Sequence, residues 1–95
     1  MLEHQSDVVL IGKKPIMNYV IACVTLFNAG KQTITVRARG LAISSAVDVI
    51  ELLRRAFVKD LNIQGITIGS QEYERPDNSK GTVSTIDIVI SKGKK

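Results

Sequence analysis

Two lysines stand side by side in the run Gly12-Lys13-Lys14-Pro15. Backbone N–H groups at the start of a helix attract anions, the helix dipole adds to the pull, and two neighbouring ammonium groups make a good phosphate contact. The run is not a nucleotide-binding loop of the G-x-x-x-x-G-K-[ST] kind, because it has one glycine and no Ser or Thr after the lysines. On spacing alone it reads equally well as a solvated loop. Arg37 and Arg39 lie two residues apart, so on a strand both side chains leave the same face and can reach successive phosphates or a groove. Arg75 and Lys80 flank a polar turn, and a protruding arm with cations at its tip suits the negative potential of a minor groove. Glu72, Glu74 and Asp77 nearby offset much of that charge. The tail lysines add non-specific attraction.

Catalysis finds no such footing. The one histidine, His4, lies in a polar N-terminal stretch. Cys23 falls on an apolar helical stripe, which is the setting of a structural thiol rather than a nucleophile. Ser44 and Ser45 have no base beside them and read as helix-capping residues. No His–carboxylate cluster suggests a metal site, and no cofactor motif is present. Nucleophile, base and oxyanion donor do not occur together.

The elements that must position the cations follow from periodicity. Val8-Val9-Leu10-Ile11 reads as a short strand buried on both faces. Pro15 suits the first turn of a helix. From Ile16 to Phe27 apolar residues recur at helical spacing, with so little polar face that cover on more than one side is expected. Gly30 is placed to end that helix. Residues 32–39 alternate, with Ile34, Val36 and Ala38 on one face and Arg37 and Arg39 on the other. A second helix starts between Leu41 and Ser45, with a capping-box variant at Ser45–Asp48, an apolar stripe of Ala46, Val49, Ile50, Leu53 and Phe57, and a Glu51–Arg55 ion pair. Residues 63–74 and 83–91 read as strands, joined by the turn-rich loop 75–81. The order is β-α-β-α-β-β: a parallel βαβ unit followed by an antiparallel hairpin, giving an α/β (α+β sandwich) fold with a mixed sheet covered by two helices. In a parallel unit the loop after the first strand and the end of the second lie at one edge, so Lys13, Lys14, Arg37 and Arg39 are expected to converge there.

Composition sets the limits. Ninety-five residues fit one domain, spanning 1–95 with residues 1–7 and 92–95 expected to be flexible. Hydrophobic residues make up 44% and aromatic residues only 4%, so the core is aliphatic. A net charge of +4 favours polyanions, but only moderately, which is why placement decides. One cysteine excludes an intramolecular disulfide. The N-terminus lacks the pattern of a signal peptide and the longest apolar run is too short for a bilayer, so a cytoplasmic protein with no membrane partner is expected.

The block from Val9 to Tyr19, Val-Leu-Ile-Gly-Lys-Lys-Pro-Ile-Met-Asn-Tyr, resembles the opening of the Alba family of archaeal chromatin proteins. Ala38-Arg39-Gly40-Leu41-Ala42-Ile43-Ser44 with Ala46-Val47-Asp48, then Gly69-Ser70-Gln71 and Val83-Ser84-Thr85-Ile86, resemble its later signatures, and the likeness runs from about residue 7 to residue 91. The resemblance implies a fold shared with the C-terminal domain of translation initiation factor 3, a homodimer, and binding of double-stranded DNA, and often RNA, with little sequence preference. It implies nucleic-acid contacts at Lys13, Lys14, Asn18 and Arg39. It directs the hairpin arms, and with them Arg75 and Lys80, towards the minor groove. It implies acetylation of Lys13 by a lysine acetyltransferase, reversed by a deacetylase, and a dimer–dimer contact at Phe57. Association with the chromosome in the nucleoid follows. One departure is Leu41, where many members carry a basic residue.

Three functions are therefore open: an architectural chromatin protein that condenses or protects DNA, an RNA-binding subunit of a ribonucleoprotein such as RNase P, and a small regulatory domain binding an anionic ligand at the 12–15 turn. Cations at the loop, the sheet edge and the hairpin make a footprint too broad for one small anion, and favour the first.

Overall fold

The computed structural model describes residues 7–93. His4 and most of the two expected flexible ends lie outside the described residues. Of the members described, Asp7 forms an ion pair with Lys31 at 3.3 Å and Lys92 closes the last strand.

The elements are β1 (Val8–Leu10), α1 (Ile16–Asn28), β2 (Thr33–Arg39), α2 (Ala42–Leu52), β3 (Leu61–Glu74) and β4 (Lys80–Lys92). They form one four-stranded sheet in the order β1-β2-β4-β3. β1 runs parallel to β2, while β4 lies antiparallel to β2 on one side and to β3 on the other. This is the expected small α+β architecture of two helices and a mixed sheet.

Both helices bury their stripes on one face of the sheet. Val20, Cys23 and Phe27 of α1 and Ala46, Val49 and Ile50 of α2 pack with Ile34, Val36 and Ala38 of β2 and Ile86, Ile88 and Ile90 of β4. The rows are in register, because Ile34 stands opposite Ile90, Val36 opposite Ile88 and Ala38 opposite Ile86. No described element covers the opposite face.

One-sided cover corrects two expectations. β1 is an edge strand with Val9 buried and Leu10 exposed, not a strand buried on both faces. On α1, Met17 and Ile21 remain exposed, because no described element packs on the outer side of the helix layer.

Helix ends differ in detail from the sequence reading. Pro15 sits just outside α1 as its N-cap, with the extended ψ of 146°. At the far end the N–H of Lys31 donates to Leu26 C=O and that of Gly30 to Phe27 C=O, the paired closure of a Schellman motif, and Gly30 supplies the required positive φ of 99°. α2 begins at Ala42 with no side-chain cap, so Ser45 lies inside the helix and the expected capping box does not form. α2 continues into a π-helical turn, Leu53–Phe57, closed by an i→i+5 bond from Val58 N–H to Leu53 C=O. The extra residue in that turn rotates the helix end relative to the stripe before it. Phe57 therefore leaves the buried stripe for the surface. Glu51 pairs with its i+3 neighbour Arg54, not with Arg55.

β3 and β4 are longer than the alternation suggests, and the loop between them shrinks to 75–79. An irregularity at Gln64 shifts the parity of β3, so that Ile63, Ile66 and Ile68 all face the helix side, opposite Ile90, Ile88 and Ile86. The Gln64 amide donates to the hydroxyl of buried Ser91 at 3.0 Å. Leu61 at the start of β3 is buried in the core, but the helices leave the strand's middle uncovered: Ile66 is 58% and Ile68 77% exposed.

Candidate nucleic-acid interface

The ladder between β1 and β2 pairs Leu10 with Arg37, and the Ile11 N–H extends it by one bond to the Arg37 carbonyl at 2.9 Å. Residues 12–15 therefore emerge where β2 ends. β2 makes its last pairs with β4 at Ala38–Ile86 and Arg39–Thr85. Beyond Thr85, β3 and β4 continue together from Ser70–Ser84 to Glu74–Lys80 with no third strand. Loop, strand end and the root of a two-stranded arm thus meet at one end of the sheet, and the arm lengthens the molecule to 50 Å. The expected convergence of Lys13, Lys14, Arg37 and Arg39 is present as backbone placement.

The loop is held by a residue that the spacing of charges does not single out. The N–H groups of Gly12 and Lys14 both donate to the Tyr19 hydroxyl oxygen, at 2.9 and 3.1 Å. A β-carbon on Gly12 would stand 3.3 Å from that oxygen, so glycine allows the close approach. Two loop amides that would otherwise attract an anion are thereby taken by the phenol. Lys13 and Lys14 remain exposed, and neither forms an ion pair among the described residues. Asn18, in the first turn of α1, is exposed beside them, its N–H bonded to the Pro15 carbonyl at 3.0 Å. Tyr19 could have been found from its spacing: four residues past a Pro that starts a helix, it lies on the first turn and can reach back over the loop.

Two arginines of one strand have different partners. Arg37 forms a bidentate pair with Asp87, directly opposite on β4, at 2.9 and 3.0 Å. The hydrogen bond and charge of Asp87 hold the Arg37 guanidinium above its ordinary pKa. Arg37 therefore brings its own counter-charge to the open face. Arg39 donates to the neutral Gln71 side chain at 3.1 Å and forms no ion pair among the described residues. Gln71 belongs to the arm, so Arg39 ties the arm root to the body. Leu41 follows Arg39 by two residues and is 99% exposed. Asp87 is legible in the sequence as an acid on the polar face of the fourth strand, but its pairing with Arg37 needs the knowledge that β4 lies beside β2.

At the arm tip, Arg75 donates to the Ser79 hydroxyl at 3.3 Å and the Lys80 carbonyl at 2.9 Å, and its guanidinium lies 5.4 Å from the Tyr73 ring centroid. Asp77 accepts from the Ser79 N–H at 3.0 Å and from its hydroxyl at 2.6 Å. Those bonds, the hydroxyl's foremost, hold the Asp77 carboxyl below its ordinary pKa. Glu74 stands opposite Lys80. Phe57 is remote from all of this: it shares a depression with Val24, Phe27 and Lys92 at the other end of the sheet.

Cys23 is fully buried and burial pushes its pKa up to about 11, so it is a protonated core thiol at neutral pH. Among the described residues no three His, Cys, Asp or Glu side chains group to hold a metal, and no helix is long and apolar enough to cross a membrane.

A mixed sheet with two helices on one face, a bare lysine loop at one end and a hairpin arm beside it define a small basic domain with a nucleic-acid-binding architecture. The sequence model of the Alba family matches residues 7–70, and the chain belongs to that family. Among solved structures it is similar to Alba from Thermoplasma volcanium, with 39% identity and a TM-score of 0.84 over 90% of this chain and 99% of that one. It is also similar to ALBA1 from Trypanosoma brucei, with 25% identity and a TM-score of 0.77 over 96% of this chain and 73% of that one. Members of this family are generally binding proteins rather than enzymes.

Proposed function

We propose that the chain is an architectural protein that binds double-stranded DNA through its phosphates, with little sequence preference, and condenses or protects it in the nucleoid. The observation that carries this reading is the meeting of Lys13, Lys14 and Arg39 with the root of the arm at one end of the sheet. Lysine and arginine contacts to phosphate supply sequence-independent affinity. In this reading the 12–15 loop, with Asn18, and Arg39 contact the backbone, Arg75 and Lys80 reach a groove at the end of the arm, and Arg37 contributes less because Asp87 offsets it.

The functional unit in this reading is a homodimer. Ile66 and Ile68 belong by register to the core side of the sheet, yet no helix covers them. A second copy seated there would remove them from water and double the cationic ends, giving a charge of +8, twice that of one chain. Exposed Phe57 offers a separate contact for assembling dimers along DNA. Lys13, exposed beside the loop amides, is the proposed acetylation site, and a modifying acetyltransferase and deacetylase are the implied partners. Losing its charge should weaken binding. Equal affinity of acetylated and unmodified chains would remove Lys13 as a switch.

The test is competition at matched salt between mixed-sequence duplex DNA, structured RNA and inorganic phosphate. Duplexes of different sequence should compete equally, and phosphate only weakly. Preference for the RNA would make the chain a ribonucleoprotein subunit. Displacement by stoichiometric phosphate would make it a small-anion binder.

A further inference from the structure

We propose that the Tyr19 hydroxyl is itself a phosphate contact, donating its hydrogen to a phosphodiester oxygen held between Lys13 and Lys14. The proposal rests on the nucleic-acid reading of the same loop and adds to it a neutral donor.

A phenol oxygen can accept hydrogen bonds and has one hydrogen to give. Here it accepts twice, from the N–H groups of Gly12 and Lys14. What remains to it is donation, and among the described residues its hydrogen has no acceptor. Hydrogen bonds in a chain polarise one another, so an oxygen that already accepts two N–H bonds is a better donor than an ordinary phenol. The oxygen lies within hydrogen-bond distance of the backbone on either side of Lys13, and Gly12, Lys13, Lys14 and Asn18 around it are all exposed. A phosphate drawn in by the two ammonium groups meets this hydroxyl where the free loop amides would have been. The phenol thus gathers two amides into one stronger donor, whose position is fixed by α1 rather than by the loop.

The role separates from loop support by experiment. O-methyltyrosine at position 19 keeps the oxygen that the two amides need and replaces its hydrogen with a methyl group, so it can accept but no longer donate. Affinity for mixed-sequence duplex DNA is then measured at several salt concentrations, with amide spectra of Gly12 and Lys14 to check the loop and a thermal melt to check the fold. Binding should weaken about fivefold at every salt concentration, as for the loss of one charge-assisted hydrogen bond. The slope of log affinity against log salt should not change, because no cation is lost. Tyr19→Phe, which loses both functions of the oxygen, should bind at least as weakly. Unchanged affinity in the O-methyl protein, or a shallower slope, would overturn the proposal and leave Tyr19 as loop support. The wider reading fails separately: Lys13→Ala/Lys14→Ala/Arg39→Ala with a wild-type slope would show that this end of the sheet does not bind DNA at all.

Discussion

The lysine loop and the hairpin arm leave the same end of the sheet and carry their cations in opposite ways. In the loop, Lys13 and Lys14 form no ion pair among the described residues, and the backbone that bears them is pinned to a neutral phenol. In the arm, Arg75 is already engaged with Ser79, Lys80 and Tyr73, Glu74 stands opposite Lys80, and Glu72 and Asp77 lie close by in the chain. The loop is therefore a source of charge and the arm a source of shape. The strand between them repeats the contrast within three residues: Arg37 is neutralised by Asp87, and Arg39 donates to the Gln71 amide and forms no ion pair among the described residues. Counting basic residues along the sequence treats all of these alike. Counting what each one faces does not.

The largest effect is expected from Lys13→Ala/Lys14→Ala, which should weaken duplex binding on the order of tenfold or more at low salt. Arg75→Ala/Lys80→Ala should cost only about two- to fivefold, and mostly independently of salt, because nearby acids already screen those charges. If the arm variant bound more weakly than the loop variant, the division of roles would be reversed. Asp87→Asn should strengthen binding by about twofold and steepen the salt dependence, since it releases Arg37 and removes an acid from the open face. The smallest effect belongs to the tip. Asp77 has a folded pKa below its unfolded value, so its support of the turn is fully present above the ordinary carboxylate range of about 3.9. That support is lost as pH falls through the lowered folded pKa. The Ser79 amide resonance should move in that acid window while those of β2 stay still.

Much of this is legible in the chain. Element order, the core rows of β2 and β4 and the loop at the start of α1 all follow from periods of two and 3.6 and from Gly and Pro. The block from Val9 to Tyr19 resembles the family to which the chain belongs. The features that escape a sequence reading depend on neighbours that periodicity does not name. The Arg37–Asp87 pair requires β4 to sit beside β2. The exposure of Phe57 requires a π turn, which leaves no sign in the apolar stripe. The shared face of Ile63 with Ile66 requires one irregular residue in β3. The amides of the 12–15 loop are legible as donors, but nothing in the pattern of charges marks Tyr19, at the end of the same block, as their acceptor.

In the proposed reading, affinity comes from Lys13, Lys14 and Arg39, which form no ion pair among the described residues. The most direct test of that reading is the salt dependence of duplex binding by Lys13→Ala/Lys14→Ala/Arg39→Ala beside the wild-type chain. Removing one cation–phosphate contact should reduce the slope of log affinity against log salt by about 0.9, so the variant should be shallower by up to roughly 2.7 per chain. A variant that binds more weakly with the wild-type slope, or with no change at all, would contradict the account.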